Sequence, residues 1–220
     1  MDMRLFELVL LSVIGFCSGE NVLPPGPMNG ALGESVMFNT SIGSAGPFIT
    51  IIWNFNGGSG SGSVLVVTVT PGGTTPTPGY LGRISVNNIT GSMELRELTL
   101  GDTGTYTVNL VPNIGDALNG ETTLNVYEPV SNVTVSANAT DLVELNDTVS
   151  LTCSASGSSL SYQWRNGSSD ITAGGRVQLS DGGRILTISS VLRSDRGPLY
   201  CIAHNVVSTG TSDPFYLNIS

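Results

Sequence analysis

The chain has 220 residues, 40% of them hydrophobic and 11% charged, with a net charge of −9. Its basic residues are eight arginines with no lysine, against seventeen acids. This balance excludes nucleic acid and anionic lipid surfaces as partners, since both need cations to neutralise phosphates.

At the N-terminus, Met1 to Arg4 precede an apolar run over residues 5–16, interrupted by Glu7, and Cys17-Ser18-Gly19 follows with small residues. This resembles a secretory signal peptide spanning 1–19, cleaved after Gly19. No later run reaches the ~20 apolar residues of a transmembrane helix. Losing the leader removes Cys17 and leaves Cys153 and Cys201, 48 residues apart and without metal-site spacing. In an oxidising compartment this pair reads as a disulfide. Closing so long a loop contributes ~4 kcal/mol in the chain-entropy model.

Beyond the leader, short runs rich in Val, Ile, Thr and Leu alternate with Gly/Pro/Asn/Ser/Asp clusters. The runs cover 35–39, 49–56, 63–70, 93–98, 105–111 and 122–127, then 132–137, 148–154, 160–165, 185–188, 199–204 and 215–219. None keeps a helical period for three turns, and the pattern predicts an all-β sandwich. Residues 57–63 (GGSGSGS) read as a flexible turn. Residues 71–79 (PGGTTPTPG) read as an irregular edge that proline keeps from pairing.

An internal repeat organises these runs. Arg83 and Asp102 are nineteen residues apart, and so are Arg176 and Asp195; Trp53 precedes the first pair and Trp164 the second. Met93, Leu95 and Leu98 stand at the same offsets as Leu186, Ile188 and Val191. Two copies of one fold account for this. Arg follows Trp by thirty residues in the first copy and by twelve in the second, so the first has room for two additional strands. Cys153 and Cys201 belong to the second copy; Thr40 and Val108 hold the matching places in the first.

These landmarks are those of immunoglobulin domains. Trp53 and Trp164 would be the core tryptophans of strand C. Asp102-Thr-Gly-Thr-Tyr106 matches the D-x-G-x-Y signature before strand F, with Tyr106 making the tyrosine corner. Arg83 with Asp102, and Arg176 with Asp195, would form structural salt bridges. In the second copy Leu199 stands at the corner position, beside Tyr200. The domain reading is signal peptide 1–19, a variable-type domain without a disulfide over 20–128, and an I/C2-type domain with one over 129–220, joined by a short linker. Ile51, Trp53, Val67, Leu95, Tyr106 and Val108 are the expected core of the first.

Gly104-Thr-Tyr-Thr-Val108, Gly82-Arg83, the stretch 176–187 (RVQLSDGGRILT) and the stretch 201–208 (CIAHNVVS) resemble the carcinoembryonic-antigen-related cell adhesion molecules, the CEACAM family. The hepatic and glial cell adhesion molecule is a second choice, and the SLAM/CD2 group has a similar layout. The resemblance implies a cell-surface ectodomain that binds proteins, itself or a related immunoglobulin adhesion molecule, through the G-F-C-C′ face of the first domain. Alternation places Ile52, Asn54, Ser63, Leu65, Thr107, Asn109 and Val111 on that face. The family's face typically carries aromatic side chains on strand C; Ile52 and Asn54 stand there here. A secreted recognition or decoy protein is the alternative. The chain closes on a terminal strand, which suggests truncation of a longer protein with an anchor; without an anchor it would be secreted.

Seven N-x-S/T sequons, at Asn39, Asn88, Asn132, Asn138, Asn146, Asn166 and Asn218, mark glycosylation sites. Glycans would supply the solubility that so few charges cannot. An enzyme is not expected. His204 is the single histidine and is expected to face outward, Glu94 and Glu97 read as a solvated face, and no cofactor, metal or small-molecule substrate is predicted.

Overall fold

The computed structural model describes residues 21–42, 47–58, 60 and 62–220. The leader predicted over 1–19, Cys17 included, lies outside the described residues. The first half contributes β1 (Met28–Ala31), β2 (Val36–Phe38), β3 (Phe48–Asn56), β4 (Val64–Thr70), β5 (Gly73–Pro76), β6 (Ile84–Val86), β7 (Met93–Leu95), β8 (Gly104–Pro112) and β9 (Leu118–Tyr127). The second half contributes β10 (Ser131–Ala137), β11 (Asp141–Leu142), β12 (Val149–Ser156), β13 (Ser161–Asn166), β14 (Ser169–Ile171), β15 (Val177–Ser180), β16 (Ile185–Ile188), β17 (Leu199–His204), β18 (Thr209–Thr211) and β19 (Asn218–Ile219).

In the first sandwich a six-stranded sheet, β1-β9-β8-β3-β4-β5, faces a three-stranded sheet, β2-β7-β6. In the second, β10-β12-β16-β15 faces β14-β13-β17-β18, and β11 pairs with β19. The two sandwiches are all-β, with the Cys153–Cys201 disulfide in the second. β14 pairs with β13 as β4 pairs with β3, so among the described residues only β5, not two strands as the spacing suggested, is additional between β3 and β6 of the first. Each follows from alternating side chains. In β8, Tyr106, Val108 and Leu110 are buried while Thr107, Asn109 and Val111 are not; one residue in two enters the core.

Another expectation is corrected here. Residues 73–76 do pair: β5 lies antiparallel to β4, with Val67 opposite Pro76 and Thr70 opposite Gly73. Proline is tolerated because β5 is the edge strand and Pro76 is its last residue, so no further strand needs the missing N–H.

The two cores are built on the same plan. Trp53 and Trp164 are both fully buried. The Trp53 indole N–H donates to the Gly91 carbonyl at 3.0 Å and that of Trp164 to the Gly183 carbonyl at 2.8 Å. A bonded N–H is what allows an indole to be buried without a desolvation cost. In the first core Phe38 lies 5.6 Å from the Trp53 ring and 4.6 Å from the Tyr106 ring, and Phe55 lies 5.0 Å from Tyr106. Phe38 went unnoticed in the sequence pattern, as a single aromatic in a three-residue strand. Thr40, at the position matching Cys153, is not a core residue: its hydroxyl donates to the Thr90 carbonyl at 2.6 Å.

Tyr106 donates its hydroxyl to the Asp102 carbonyl at 2.9 Å, which closes the tyrosine corner. Burial pushes this hydroxyl far above its usual pKa, with Tyr80 and Asp102 adding to the rise and Arg83 opposing it. Gly104, at the start of β8, lets the end of β3 pass close by, since a Cβ there would meet the Asn56 carbonyl oxygen. Arg83 bridges Asp102 and also donates to the carbonyls of Arg96 and Glu97. Asp102 accepts in addition from the Thr99 N–H and hydroxyl, at 2.7 and 2.9 Å. Arg176 meets Asp195 at 2.8 Å and donates to the Ser190 carbonyl. The first pair is the more enclosed, with side-chain exposures of 17% and 6% against 35% and 14%. Leu199, fully buried, stands at the corner position of the second sandwich.

Between the sandwiches, the Glu128 N–H donates to the Ser158 hydroxyl, the Val130 N–H to the Ser208 hydroxyl, and the Asn205 amide to the Glu128 carbonyl. These bonds fasten the connecting segment to the turns of the second sandwich.

Candidate protein-binding face

The outer face of the six-stranded sheet is organised in cross-strand rows. Opposite one another across β5, β4, β3, β8 and β9 stand Thr75, Thr68, Ile52, Asn109 and Asn119. The next row is Leu65, Asn54, Thr107 and Glu121. Val111 lies opposite Thr50 in a third. Paired residues in an antiparallel sheet share a face, so the register brings Ile52, Asn54, Leu65, Thr107, Asn109 and Val111 together. The Asn109 amide donates to the Asn119 side-chain oxygen at 2.7 Å, tying two strands together on the surface.

Two residues depart from strict alternation. Ser63 is not on β4; it is exposed in the loop before it. A bulge between Trp53 and Asn54 then leaves Val66 without an opposite residue, and Val66 and Val67 are both buried. The bulge restores Leu65 to the outside and brings Thr68 there as well, a residue that alternation from Ser63 misses. Asn119 and Glu121 were also missed, because the predicted run began at Thr122 whereas β9 begins at Leu118.

The face is almost neutral. Glu121 is the charged member of these rows; the others are Thr, Asn, Ile, Leu and Val. Ile52 sits at the middle of the longest row, flanked by groups that donate and accept hydrogen bonds. At the β9 edge, Asn21 donates to the Glu121 carbonyl at 3.0 Å and accepts from the Glu121 N–H at 2.9 Å. The start of the described chain therefore borders the face.

The sequons of the first sandwich lie elsewhere. Asn39 follows β2 and Asn88 lies in the turn between β6 and β7, both on the opposite sheet and both exposed. Asn132, Asn138, Asn146 and Asn218 are exposed positions of the second sandwich. Asn166 is half-buried and its amide donates to the Ser194 carbonyl at 2.9 Å. His204 ends β17 and is half-buried, and among the described residues no group of three or more His, Cys, Asp or Glu could hold a metal ion. No helix of the described residues is long and apolar enough to cross a membrane.

Residues 23–127 match the immunoglobulin V-set domain family, and residues 131–205 match the immunoglobulin domain family. The chain belongs to the immunoglobulin superfamily. Within it the chain is CEACAM-like. It is 33% identical to the cell adhesion molecule CEACAM16 of Rattus norvegicus, over 91% of this chain and 47% of that protein. It is 31% identical to CEACAM16 of Mus musculus, over 100% of this chain and 51% of that protein. The chain thus spans about half the length of these curated relatives. The crystal structure of murine CEACAM1b superposes with a TM-score of 0.70 at 27% identity, covering 88% of this chain and 96% of that one. The hepatic and glial cell adhesion molecule of Bos taurus is 33% identical over 64% of this chain and 34% of that protein.

Proposed function

We propose that this CEACAM-like chain is the extracellular part of an adhesion or recognition protein, and that the outer face of β9-β8-β3-β4 in the first sandwich is where it meets another immunoglobulin-like protein, a second copy included. The observation that carries this reading is the neutral, sequon-free face with Ile52 at its centre. With Glu121 left at the rim at the β9 end of its row, the rest of the face can be covered without burying unpaired charge, which would be costly. Its Asn and Thr side chains can exchange water for a partner's polar groups at little net cost. Relatives that are cell adhesion molecules support the recognition role. A solved structure of the same fold is that of a mouse coronavirus receptor-binding domain complexed with its murine receptor.

Ile52 would act as the anchor, the role that large buried side chains play at the centre of interfaces. Analytical ultracentrifugation of the secreted chain tests this. Wild type self-associates weakly, and Ile52→Arg shifts it to monomer without changing its unfolding temperature. Identical monomeric sedimentation of both overturns the reading.

A further inference from the structure

The chain passes from one sandwich to the other without a free residue. Tyr127 closes β9, where it stands opposite Ala31 of β1 and its carbonyl accepts from the Leu32 N–H at 2.9 Å. The next residue is already held by the other sandwich. The Glu128 N–H donates to the Ser158 hydroxyl at 2.8 Å, and its carbonyl accepts from the Ser158 N–H at 3.3 Å and from the Asn205 amide at 2.8 Å. Because a peptide group is planar, only the two rotations flanking the Tyr127–Glu128 bond are left to change the angle between the sandwiches.

Asn205 is the hub of this junction. Its amide nitrogen donates to two carbonyls, those of Glu128 and Ser158, at 2.8 and 2.9 Å. Its side-chain oxygen accepts from the N–H groups of Val207 and Ser208, at 3.2 and 2.9 Å, and from the Ser208 hydroxyl at 3.0 Å. That hydroxyl accepts in turn from the Val130 N–H at 2.7 Å. One side chain therefore reaches the connecting segment twice, directly at Glu128 and through Ser208 at Val130. Asparagine suits the position because it carries two donors and an acceptor on one short planar group. Val130 is also seated by close packing, since a Cβ on Gly210 would come within 2.9 Å of its side chain.

We infer that Asn205 is a positioning residue, which locks the connecting segment to the second sandwich and so fixes the angle at which the first is held. The oxygen side of its amide folds the turn after β17, and the nitrogen side holds the segment. The two roles are separable, because aspartate keeps the acceptor and loses both donors. With a carboxylate oxygen set against the Glu128 carbonyl, residues 128–130 are released to act as a hinge. The stiffness of this junction holds whatever the outer face of β9-β8-β3-β4 binds, and for that face it sets the direction of approach to a partner.

The test measures residual dipolar couplings and amide hydrogen exchange on the full secreted chain. In wild type the two sandwiches share one alignment tensor. In Asn205→Asp the two tensors become unequal and the Glu128 N–H exchanges several-fold faster, while the Val207 and Ser208 amides stay as protected as before. Asn205→Ala loses both the common tensor and the protection of the turn. A shared tensor in Asn205→Asp overturns the inference, as do unequal tensors in wild type. So does faster exchange at Val207 and Ser208 in Asn205→Asp, since the residue would then act through the turn alone.

Discussion

The two sandwiches solve one packing problem in different ways. Both place a tryptophan between two sheets, yet the second crosses its core with the Cys153–Cys201 disulfide, whereas the first fills the corresponding region with Phe38, Tyr106 and Phe55 around Trp53. A disulfide acts largely by restricting the unfolded chain. An aromatic cluster acts in the folded state, through buried area and ring contacts. The cysteine positions themselves were released to other tasks: Val108 joins the core at 2% exposure and Thr40 bonds to a neighbouring turn. The corner shows the same exchange. The first sandwich pins it with the Tyr106 hydroxyl, and the second packs Leu199 there.

This contrast can be broken from either side. Replacing both Cys153 and Cys201 with alanine should cost the second sandwich about 4 kcal/mol, the loop-closure value for 48 residues. Calorimetry of the variant should show its transition falling while that of the first stays in place; equal shifts in both would mean that the two do not unfold independently. Phe38→Ala should do the reverse, costing the first sandwich about 3 kcal/mol through the cavity it leaves, with the second unmoved in the same scan.

The corner yields a smaller and pH-dependent effect. Tyr106→Phe removes one buried hydrogen bond, about 1 kcal/mol at neutral pH. Because the folded-state pKa of Tyr106 is raised above the unfolded value of about 10, the unfolded chain loses its proton first. Stability is therefore fully present below pH 10 and falls as the pH rises beyond it, by about 1.4 kcal/mol per unit from this residue. With no lysine in the chain, few other groups obscure that slope. Tyr80, also raised by burial, adds to it. Chemical denaturation of the first sandwich between pH 9 and 11 should show a shallower decline in the Tyr106→Phe variant, and an unchanged slope would remove the corner from this account. Leu199 has no proton to lose, so the second sandwich lacks this contribution.

How much of this was legible before folding differs between core and face. Trp53, Tyr106, Val108 and the Arg–Asp spacing are read from sequence because an immunoglobulin core demands particular residues at fixed intervals. Phe38 was not, since a three-residue strand carries too little alternation to separate a core aromatic from chance. On the face, β3 from Thr50 onward and β8 run in simple alternation, and their outward residues follow directly from it. On β4 the bulge at Val66 breaks the count, so Thr68 appears, and Ser63 drops out because the strand begins only at Val64. Pairing of β5 was hidden by Pro76 and by Pro71 and Pro78 on either side of it, and a proline matters to pairing only where a neighbouring strand needs its N–H.

The sequence alone determined two tandem all-β sandwiches, a disulfide in the second and its absence from the first. Those features depend on local pattern and on a repeat that any register preserves. The tertiary structure decided which residues share the outer rows, how the first core is filled without sulfur, and that Asn205 meets the connecting segment at Glu128. Each of these depends on the register of strands distant in the chain, and a one-residue bulge is enough to change which side chains meet.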